Sequence, residues 1–569
     1  MSRTIALVER SNIAIHLSRM ALRQPHTLAV VVPDGRGRGG RLRYTHMTYR
    51  QLDQDSDRLA HGFKAAGIGR GTRTVVMVRP SLDFFSLIFA LFKAGIVPVL
   101  IDPGIGLSNL GRCCDEAAPE VFIGIPKALL ARRLFGWGRR TVRHVIKVAP
   151  GSAVSFVPGV KTLDQLRRMG AESRGQGLDP APVIALLSPD EPAAILFTSG
   201  STGAPKGAVY THSIFQAQVE VFRTIYAIEP GEVDLCTFPL FALFAPALGM
   251  TAIVPDMDPT RPALVDPAKL FEAIDDFGVT NLFGSPALLR RLSLGAERES
   301  RRLPSLKRVI SAGAPVSAAT LERVAHLLDH TAQVYTPYGA TEALPVASIG
   351  SRQVLSETRQ ATDSGLGVCV GRPVPGVQVR IIDLFDEPIP IWSDALLVPD
   401  GVIGEIVVTG PVVTREYYNR SEATRLAKII DPDGRGIHHR MGDVGYCDAQ
   451  GRIWFCGRKS HRVVLEQETL FTIPCEAVFN THPAVARTAL VGVKRHGQIV
   501  PVICVELVTR QSARARRQIT HELLERGAAY PHTRWIQTVL FHASFPVDIR
   551  HNAKIFREKL AVWASRRLS

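Results

Sequence analysis

At 569 residues the chain is longer than one ordinary domain, so its sequence predicts at least two hydrophobic cores. Hydrophobic residues make up 46% of the chain and charged residues 21%, which is typical of a globular protein and excludes a disordered or fibrous one. The formal net charge of +16 favours contact with anions. The basic residues are scattered and carry no nucleic-acid-binding motif, so we expect no nucleic-acid partner.

The cysteines and the apolar stretches indicate where the chain resides. Its eight cysteines are spread out, with no CxxC pair and no zinc-binding spacing, which predicts reduced core thiols and a cytoplasmic protein. The first eleven residues lack the apolar core of a secretory signal. Residues 84–92 form the most apolar stretch, but Asp83 and Lys93 bound it and it is too short to span a bilayer. We therefore predict a buried helix there and no transmembrane segment.

The first part of the chain alternates between helical and strand patterns. Residues 48–66 and 81–94 predict helices, whereas residues 74–78 and 96–101 predict strands. Strands interleaved with helices indicate a mostly parallel sheet that is covered on both faces.

Residues 129–137 are apolar and basic together, and Arg139 and Arg140 follow them. We expect a surface helix whose apolar face packs inward. The alternative is a segment that contacts a membrane or a partner protein.

A small-residue loop between two predicted strands dominates the sequence. Residues 193–197 predict a buried strand and residues 208–210 a second, short one. Backbone N–H groups in such a loop, with its hydroxyls and a terminal lysine, can hold a phosphate group. The predicted binding residues are Thr198, Ser199, Gly200, Ser201, Thr202, Gly203 and Lys206. The alternative is a flexible loop, because the common phosphate loop has its lysine at the start of a helix.

The complete string Thr198-Ser-Gly-Ser-Thr-Gly-Ala-Pro-Lys-Gly207 resembles the phosphate loop of the adenylate-forming superfamily. That superfamily contains acyl-CoA synthetases, peptide-synthetase adenylation domains and luciferases. An ordered match of this length is specific, whereas a short glycine-rich loop is not. The resemblance implies that the protein is an ATP-dependent ligase with Mg²⁺ as its metal ion, and that Thr198 takes part in catalysis as well as in binding.

Two later stretches are implied to line the substrate site. After a predicted strand at residues 306–311 comes the turn that the superfamily places against adenine, formed here by Gly313, Ala314 and Pro315. Residues 238–249 are unusually apolar and carry Ala242 where many members have a histidine. They predict the wall of a long alkyl site, with a plain core segment as the alternative.

The string Tyr338-Gly-Ala-Thr-Glu342 resembles the superfamily's Tyr-Gly-x-Thr-Glu motif. Tyr338, with Gly339 beside it, is implied to face the purine, and Thr341 is implied to contact the α-phosphate. Glu342 is implied to be a catalytic residue and the Mg²⁺ ligand, which suits a hard carboxylate.

Two more motifs follow in the superfamily's order. Asp443 is implied to accept hydrogen bonds from both ribose hydroxyls, and Arg458 is implied to reach the ribose or a phosphate. Residues 404–419 resemble another superfamily stretch, to which we assign a structural role. The Pro…Lys-Ile-x-Arg pattern near the end identifies Lys554 as the catalytic lysine that swings over the site, with Ala553 in place of the usual glycine.

The predicted fold class is therefore α/β. Residues 1–458 are predicted to form a large N-terminal adenylate-forming domain of mixed, mostly parallel sheets sandwiched with helices, plus a β-subdomain. Residues 459–569 are predicted to form a small mobile α+β lid domain that carries Lys554.

Two departures from acyl-CoA synthetases concern the step that uses coenzyme A. Ser460 occupies the pivot position that is usually Asp or Lys, and residues 465–471 lack the glycine that lets the pantetheine arm pass. With the lysine motif and the apolar segment, they resemble the β-lactone synthetase family of bacterial long-chain olefin biosynthesis (the OleC type). That resemblance implies adenylation of a long-chain 2-alkyl-3-hydroxy fatty acid, followed by attack of its own 3-hydroxyl to close a β-lactone.

Two alternatives remain. The first is a long-chain fatty acyl-CoA synthetase, and the second is a catalytically dead nucleotide-binding subunit, against which the presence of Lys206, Glu342, Asp443 and Lys554 argues. The β-lactone interpretation also implies partners, because a reactive, water-insoluble product would favour association with the condensing enzyme, the reductase and the β-lactone decarboxylase of the pathway.

Overall fold

The computed structural model describes residues 11–149, 159–175, 184–198, 204–547 and 555–568. The strands of its first half are β1 (Leu28–Arg36), β2 (Leu42–Thr48), β3 (Arg73–Met77), β4 (Val97–Ile101), β5 (Val121–Gly124), β6 (His144–Lys147), β7 (Val160–Thr162), β8 (Pro192–Thr198), β9 (Lys206–Thr211), β10 (Val233–Cys236), β11 (Thr251–Ile253) and β12 (Asn281–Phe283). The strands of its second half are β13 (Arg308–Ile310), β14 (Gln333–Ala340), β15 (Ala343–Gly350), β16 (Val368–Pro373), β17 (Gln378–Ile382), β18 (Gly404–Thr409), β19 (Lys428–Ile430), β20 (Ile437–Cys447), β21 (Ile453–Arg458), β22 (Val463–Val464), β23 (Thr469–Leu470), β24 (Val485–Arg495), β25 (Gln498–Leu507) and β26 (Thr538–Phe541).

The helices cover these strands. In chain order they are Ile15–Arg23, Tyr49–Ala65, Leu82–Lys93, Leu107–Ala117, Pro126–Phe135, Leu163–Gly175, His212–Tyr226, Pro239–Ala242, Phe244–Leu248, Pro267–Phe277, Pro286–Arg298, Ala318–Leu327, Ser351–Gln353, the π-helical turn Val354–Thr358, Arg359–Asp363, Ser421–Ala427, Thr472–Asn480, Ala513–Ala528 and Arg557–Leu568. In the parts of the chain described above, no helix has the length and apolarity needed to cross a membrane.

Two large sheets organise the chain up to Arg458. The first has the strand order β7-β6-β5-β3-β4-β8-β9, and its strands run parallel except for the antiparallel pair β8 and β9. The second has the order β17-β18-β20-β21-β16-β15-β14-β13-β12-β10-β11-β1-β2, with β19 paired to β20. It is parallel from β14 to β1 and antiparallel from β15 to β21. The predicted α/β class with mixed sheets and a β-rich part is confirmed.

The predicted buried helix is the helix Leu82–Lys93, and every residue from Phe84 to Lys93 is buried. Ser81 begins it by accepting a hydrogen bond from the Phe84 backbone N–H, which a helix N-terminus needs. The Lys93 ammonium at its end is fully buried but lies 2.7 Å from the carboxylates of both Asp53 and Asp57. This pairing explains how a lysine is tolerated inside the core.

Beyond Arg458 the chain passes through the turn Lys459–His461 into the hairpin of β22 and β23 and then into a separate sheet of β24, β25 and β26. The buried Glu476 carboxylate pairs with Arg557 at 2.7 Å and thereby attaches the last helix to this sheet. The predicted boundary between residues 458 and 459 falls at the start of that turn.

Candidate active site

The predicted phosphate loop joins the antiparallel strands β8 and β9. Thr198 ends β8 and Lys206 begins β9, and the two residues are cross-strand partners. The Lys206 ammonium lies 5.0 Å from the centroid of the Tyr417 ring and lines a large cavity. Ser199, Gly200, Ser201, Thr202, Gly203 and Lys554 lie outside the described residues, as does the side chain of Thr198.

A single cavity of about 1590 Å³ brings most of the other predicted residues together. The predicted residues that line it are Lys206, Gly313, Gly339, Thr341, Glu342 and Arg458. Ala314 and Pro315 do not contribute to the lining, although Ala312 and Gly313 of the same turn do. Gly313 has a φ of +96°, a backbone conformation that favours glycine and brings the turn to the cavity.

Tyr338, Asp443 and Arg458 form one hydrogen-bonded cluster beside this cavity. Asp443 on β20 and Arg458 on β21 are cross-strand partners, and Asp443 Oδ1 lies 2.9 Å from Arg458 Nη1. The Tyr338 hydroxyl donates to Asp443 Oδ2 at 2.8 Å. Burial raises the pKa of the Asp443 carboxyl, and the charge of Arg458 opposes that rise.

The geometry of this cluster leaves one oxygen of Asp443 available. Arg458 Nη1 also donates a hydrogen bond to the Met441 carbonyl at 3.0 Å, so the guanidinium that pairs with Asp443 Oδ1 at 2.9 Å is held by the backbone as well. No described residue donates a hydrogen bond to Asp443 Oδ1, although the atom is buried. A buried carboxylate oxygen of this kind is suited to accept a hydrogen bond from a ligand hydroxyl.

Glu342 lies in the turn between β14 and β15, where contacts on both sides fix it. Its backbone carbonyl accepts hydrogen bonds from Thr414 N at 2.8 Å and from Thr414 Oγ1 at 3.1 Å. Its Oε1 accepts a hydrogen bond from the Tyr417 hydroxyl at 2.6 Å, and the side chain lines the cavity. Gly339 allows the tight hairpin before this turn, because a Cβ there would lie 2.6 Å from the Ala343 carbonyl oxygen.

The donor set fits Mg²⁺. Mg²⁺ in nucleotide sites is commonly held by one or two carboxylates together with phosphate oxygens and water, and Glu342 presents one fixed carboxylate to the cavity. The described residues contain no group of three or more His, Cys, Asp and Glu side chains that could hold a metal ion without such help.

Three residues at this part of the site were not predicted from the sequence. Tyr417 lies in the stretch 404–419, to which only a structural role was assigned, yet its hydroxyl and ring contact Glu342 and Lys206. Lys428 donates to Thr414 Oγ1 at 3.2 Å, and burial lowers its pKa to about 7. His439 lines the cavity with its Nδ1 3.1 Å from the Ala427 carbonyl, and burial lowers its pKa well below the usual value.

A signal for Tyr417 was present, because it lies inside the motif-like stretch 404–419, two residues from both Arg415 and Asn419. Lys428 and His439 gave no such signal, because neither belongs to a short motif. Their position depends on the pairing of β19 with β20, which places Lys428 opposite His439.

The predicted alkyl wall lines the other end of the same cavity. Residues 238–249 form the short helices Pro239–Ala242 and Phe244–Leu248, separated by Leu243. Phe241 stacks on Phe283 with centroids 4.2 Å apart, and both rings line the cavity. Further apolar lining comes from Phe84, Phe89, Phe92, Phe215, Phe238, Leu240, Phe244 and Ala247. Ala242 itself is buried and faces away from the lining surface.

Two histidines near the motifs, His212 and His461, contact other parts of the protein and not the cavity. His212 accepts a hydrogen bond from the Ile13 backbone N–H at 3.2 Å, and burial lowers its pKa to about 4. His461 Nε2 lies 3.3 Å from a Glu558 carboxylate oxygen, and burial likewise lowers its pKa to about 4. Neither ring lines the cavity.

Comparisons with known proteins agree with this geometry. Residues 17–418 match the model of the AMP-binding enzyme family. The chain is 51% identical over 558 residues to an olefin beta-lactone synthetase of Xanthomonas campestris, covering 97% of both chains. It is 50% identical over 562 residues to an olefin beta-lactone synthetase of Stenotrophomonas maltophilia, covering 98% of both chains.

Solved structures share the fold at lower identity. The amide bond synthetase McbA from Marinactinospora thermotolerans superposes with a TM-score of 0.75 at 21% identity, covering 97% of this chain and 99% of that one. ATP-bound MatB from Rhodopseudomonas palustris also gives a TM-score of 0.75 at 21% identity, covering 98% of this chain and all of that one. With the matched family model and the half-identical relatives, the chain belongs to the AMP-binding, adenylate-forming enzyme family, as its phosphate loop predicted.

Proposed function

We propose that this protein is an ATP-dependent β-lactone synthetase that acts on a long-chain 2-alkyl-3-hydroxy acid in olefin biosynthesis. The observation that carries the proposal is the identity of about half of all residues, over nearly the whole length, with two relatives named olefin beta-lactone synthetase. The size and the apolar end of the cavity support it, because long alkyl chains need such a surface.

The proposed reaction has two steps at one site. The substrate carboxylate attacks the α-phosphorus of ATP and expels pyrophosphate, while Asp443 and Arg458 hold the ribose end and Lys206 attracts the phosphates. Mg²⁺ bound at Glu342 would neutralise the phosphate charge as it develops. The 3-hydroxyl then attacks the acyl carbon, loses its proton and expels AMP. This nucleophile belongs to the same molecule, so it gains a high effective concentration without a second binding site.

The alternative is a fatty acyl-CoA synthetase, and the hairpin after the turn Lys459–His461 argues against it. Residues 465–468 close the hairpin of β22 and β23, where Leu465 N donates to the Glu468 carbonyl at 2.9 Å. Leu465 packs on the core of the C-terminal sheet, and Glu468 accepts a hydrogen bond from Trp535 Nε1 at 2.8 Å. Bulky and acidic side chains therefore occupy the place where coenzyme A synthetases have a glycine.

The decisive experiment incubates the protein with ATP, Mg²⁺ and a synthetic 2-alkyl-3-hydroxy acid, with and without coenzyme A. The products are measured by NMR, because β-lactones decompose on heating. We expect lactone and AMP without coenzyme A, and the same amounts with it. Thioester formed at a competitive rate, and only in the presence of coenzyme A, would overturn the proposal.

We also propose that residues 459–569 act as a lid that carries Lys554 to the adenylation site. A flexible cation can bridge a substrate carboxylate and the α-phosphate as negative charge builds up there. Lys554→Ala should strongly reduce ATP–pyrophosphate exchange, with Lys559→Ala, an exposed lysine of the same tail, as the matched control. Unchanged exchange in the Lys554→Ala variant would contradict this role.

A further inference from the structure

None of the residues of the helix Pro126–Phe135 is buried. Pro126 begins the helix and Gly136, with a φ of +70°, ends it, so its boundaries are set by ordinary start and stop residues. Leu130, Leu134 and Phe135 are 58%, 70% and 56% exposed. The expectation that the apolar face of residues 129–137 packs inward is therefore only partly right.

The inward contacts of this helix are made by other residues. Ala128, Leu129 and Ala131 pack against a core cluster that contains Phe122 and Cys114. Arg132 also turns inward, with its guanidinium 5.6 Å from the centroid of the Phe122 ring. Since these residues already attach the helix to the protein, the fold does not require leucine at the exposed positions 130 and 134.

The exposed face is strongly basic as well as apolar. Between Glu120 and Asp164 the sequence contains eight Lys and Arg residues and no Asp or Glu. The exposed ones among the described residues near the helix are Lys127, Arg133, Arg139, Arg140 and Arg143. We call the set formed by Lys127, Leu130, Arg133, Leu134 and Phe135 the basic apolar patch.

The patch adjoins the cavity of the active site. Lys127, Ala128 and Ala131 of the same helix line that cavity, as does Leu107, which is 57% exposed. The helix that carries the patch therefore also forms part of the cavity wall, so a membrane docked at the patch would lie close to the cavity that is proposed to take the substrate.

We propose that the basic apolar patch docks the protein on the surface of an anionic phospholipid membrane. In such a mode the leucines and the phenylalanine enter the boundary between headgroups and acyl chains, and the basic side chains meet lipid phosphates. An acidic protein would satisfy the charges, but the two leucines lie on a convex helix surface, which suits a fluid bilayer better than a preformed pocket. The benefit for substrate delivery rests on the proposed function, because only a long-chain substrate would partition into the membrane.

The test measures binding of the full chain to sedimented vesicles without ATP or acid, so its result does not depend on the reaction. One set of vesicles is pure phosphatidylcholine, and the other is an equal mixture with phosphatidylglycerol. We expect binding only to the anionic set, weakening with added salt. Lys127→Ala/Arg133→Ala should lower the partition coefficient at least about tenfold, because each membrane-facing basic residue contributes roughly a fivefold factor. Leu130→Ser/Leu134→Ser should lower it by at least about as much, because the apolar side chains that enter the bilayer are lost.

Matched controls come from exposed residues elsewhere. Leu22→Ser removes an exposed helical leucine, and Arg514→Ala/Arg517→Ala removes two exposed arginines from the helix Ala513–Ala528. We expect both controls to bind like the unaltered protein, and all variants to keep their unfolding temperature. The proposal is overturned if the anionic vesicles bind no protein, and an acidic protein would then be the remaining partner for the patch. It is also overturned if the controls lose binding as strongly as the patch variants.

Discussion

The two ends of the cavity are built in different ways. The end proposed to bind the nucleotide consists of polar residues that contact one another directly, with Tyr338, Asp443 and Arg458 in one cluster and Glu342 and Tyr417 in another. The alkyl end consists mainly of phenylalanine rings such as Phe241 and Phe283, packed without specific polar contacts. Each polar residue has one geometry in which it functions, whereas many apolar side chains can enclose an alkyl chain equally well.

This difference between the two ends predicts which substitutions affect the use of ATP and which affect the use of the acid. Changes at the nucleotide end should be costly and specific to ATP, because each breaks a hydrogen bond to a charged group. Changes at the alkyl end should be smaller and should alter the preference for the acid.

The largest effect is expected for Glu342→Gln. The amide keeps an acceptor for the Tyr417 hydroxyl but loses the charge proposed to hold Mg²⁺. ATP–pyrophosphate exchange should fall roughly a thousandfold, or about 4 kcal/mol. Glu416→Gln, which changes an exposed carboxylate nearby, is the control and should leave exchange unchanged. A loss of less than about tenfold for Glu342→Gln would contradict the metal assignment.

Asp443→Asn should lower kcat/KM for ATP roughly a hundredfold, or about 3 kcal/mol, because Arg458 loses its partner and the ribose loses a charged acceptor. The sharper measurement compares ATP with 2′-deoxyATP and 3′-deoxyATP. The unaltered protein should discriminate against both analogues, and the variant should discriminate less. If the two proteins discriminate equally, Asp443 does not contact the ribose.

A fall in pH should destabilise the fold through His212. This residue lies behind the alkyl end, with its ring centroid 6.3 Å from that of Phe92. Its pKa is about 4 in the folded protein against 6.5 in the unfolded chain, so the unfolded chain binds the proton first as the pH falls. The free energy of unfolding should therefore decrease as the pH falls from about 6.5 to about 4. His212 contributes at most about 3 kcal/mol to that decrease.

The measurement is the free energy of unfolding in urea above pH 6.5 and near pH 4, for the unaltered protein and for His212→Asn. The asparagine keeps an acceptor for the Ile13 backbone N–H but does not titrate in this pH range. The partly buried His16 and His461 and the buried His439 act in the same direction, so the variant should flatten the pH dependence without abolishing it. If the free energy of unfolding depends on pH equally in both proteins, His212 does not contribute to that dependence.

The smallest effect is expected for Phe241→Ala. Loss of the ring that stacks on Phe283 should raise the KM for the acid about tenfold, or about 1.5 kcal/mol, while the KM for ATP stays constant. Phe241→Leu, which keeps most of the apolar volume, should lie close to the unaltered protein. Equal changes in both KM values would mean that the two ends of the cavity are not independent.

The same contrast explains how much could be predicted from the sequence. The strands around the predicted phosphate loop and the closeness of Glu342 and Lys206 could be predicted, because each belongs to an ordered motif. Polar residues of a site need a fixed arrangement, and that arrangement leaves a recognisable pattern in the sequence. Lys428 was not predictable, because it reaches the site only through the pairing of β19 with β20. The outward face of the helix Pro126–Phe135 was missed because its leucines have helical spacing, and spacing alone does not tell which side meets the core.

The turn Lys459–His461 has a consequence for the ionic-strength dependence of turnover. Before Ser460, Lys459 Nζ lies 3.0 Å from a carboxylate oxygen of Glu405, whose side chain is only 2% exposed. After Ser460, Arg462 pairs at 2.7 Å with Asp386, whose side chain is 67% exposed. A rotation about Ser460 would break the second contact and keep the first. Because salt screens exposed ion pairs far more than buried ones, added salt should speed the proposed lid motion of residues 459–569 without loosening the attachment at Lys459.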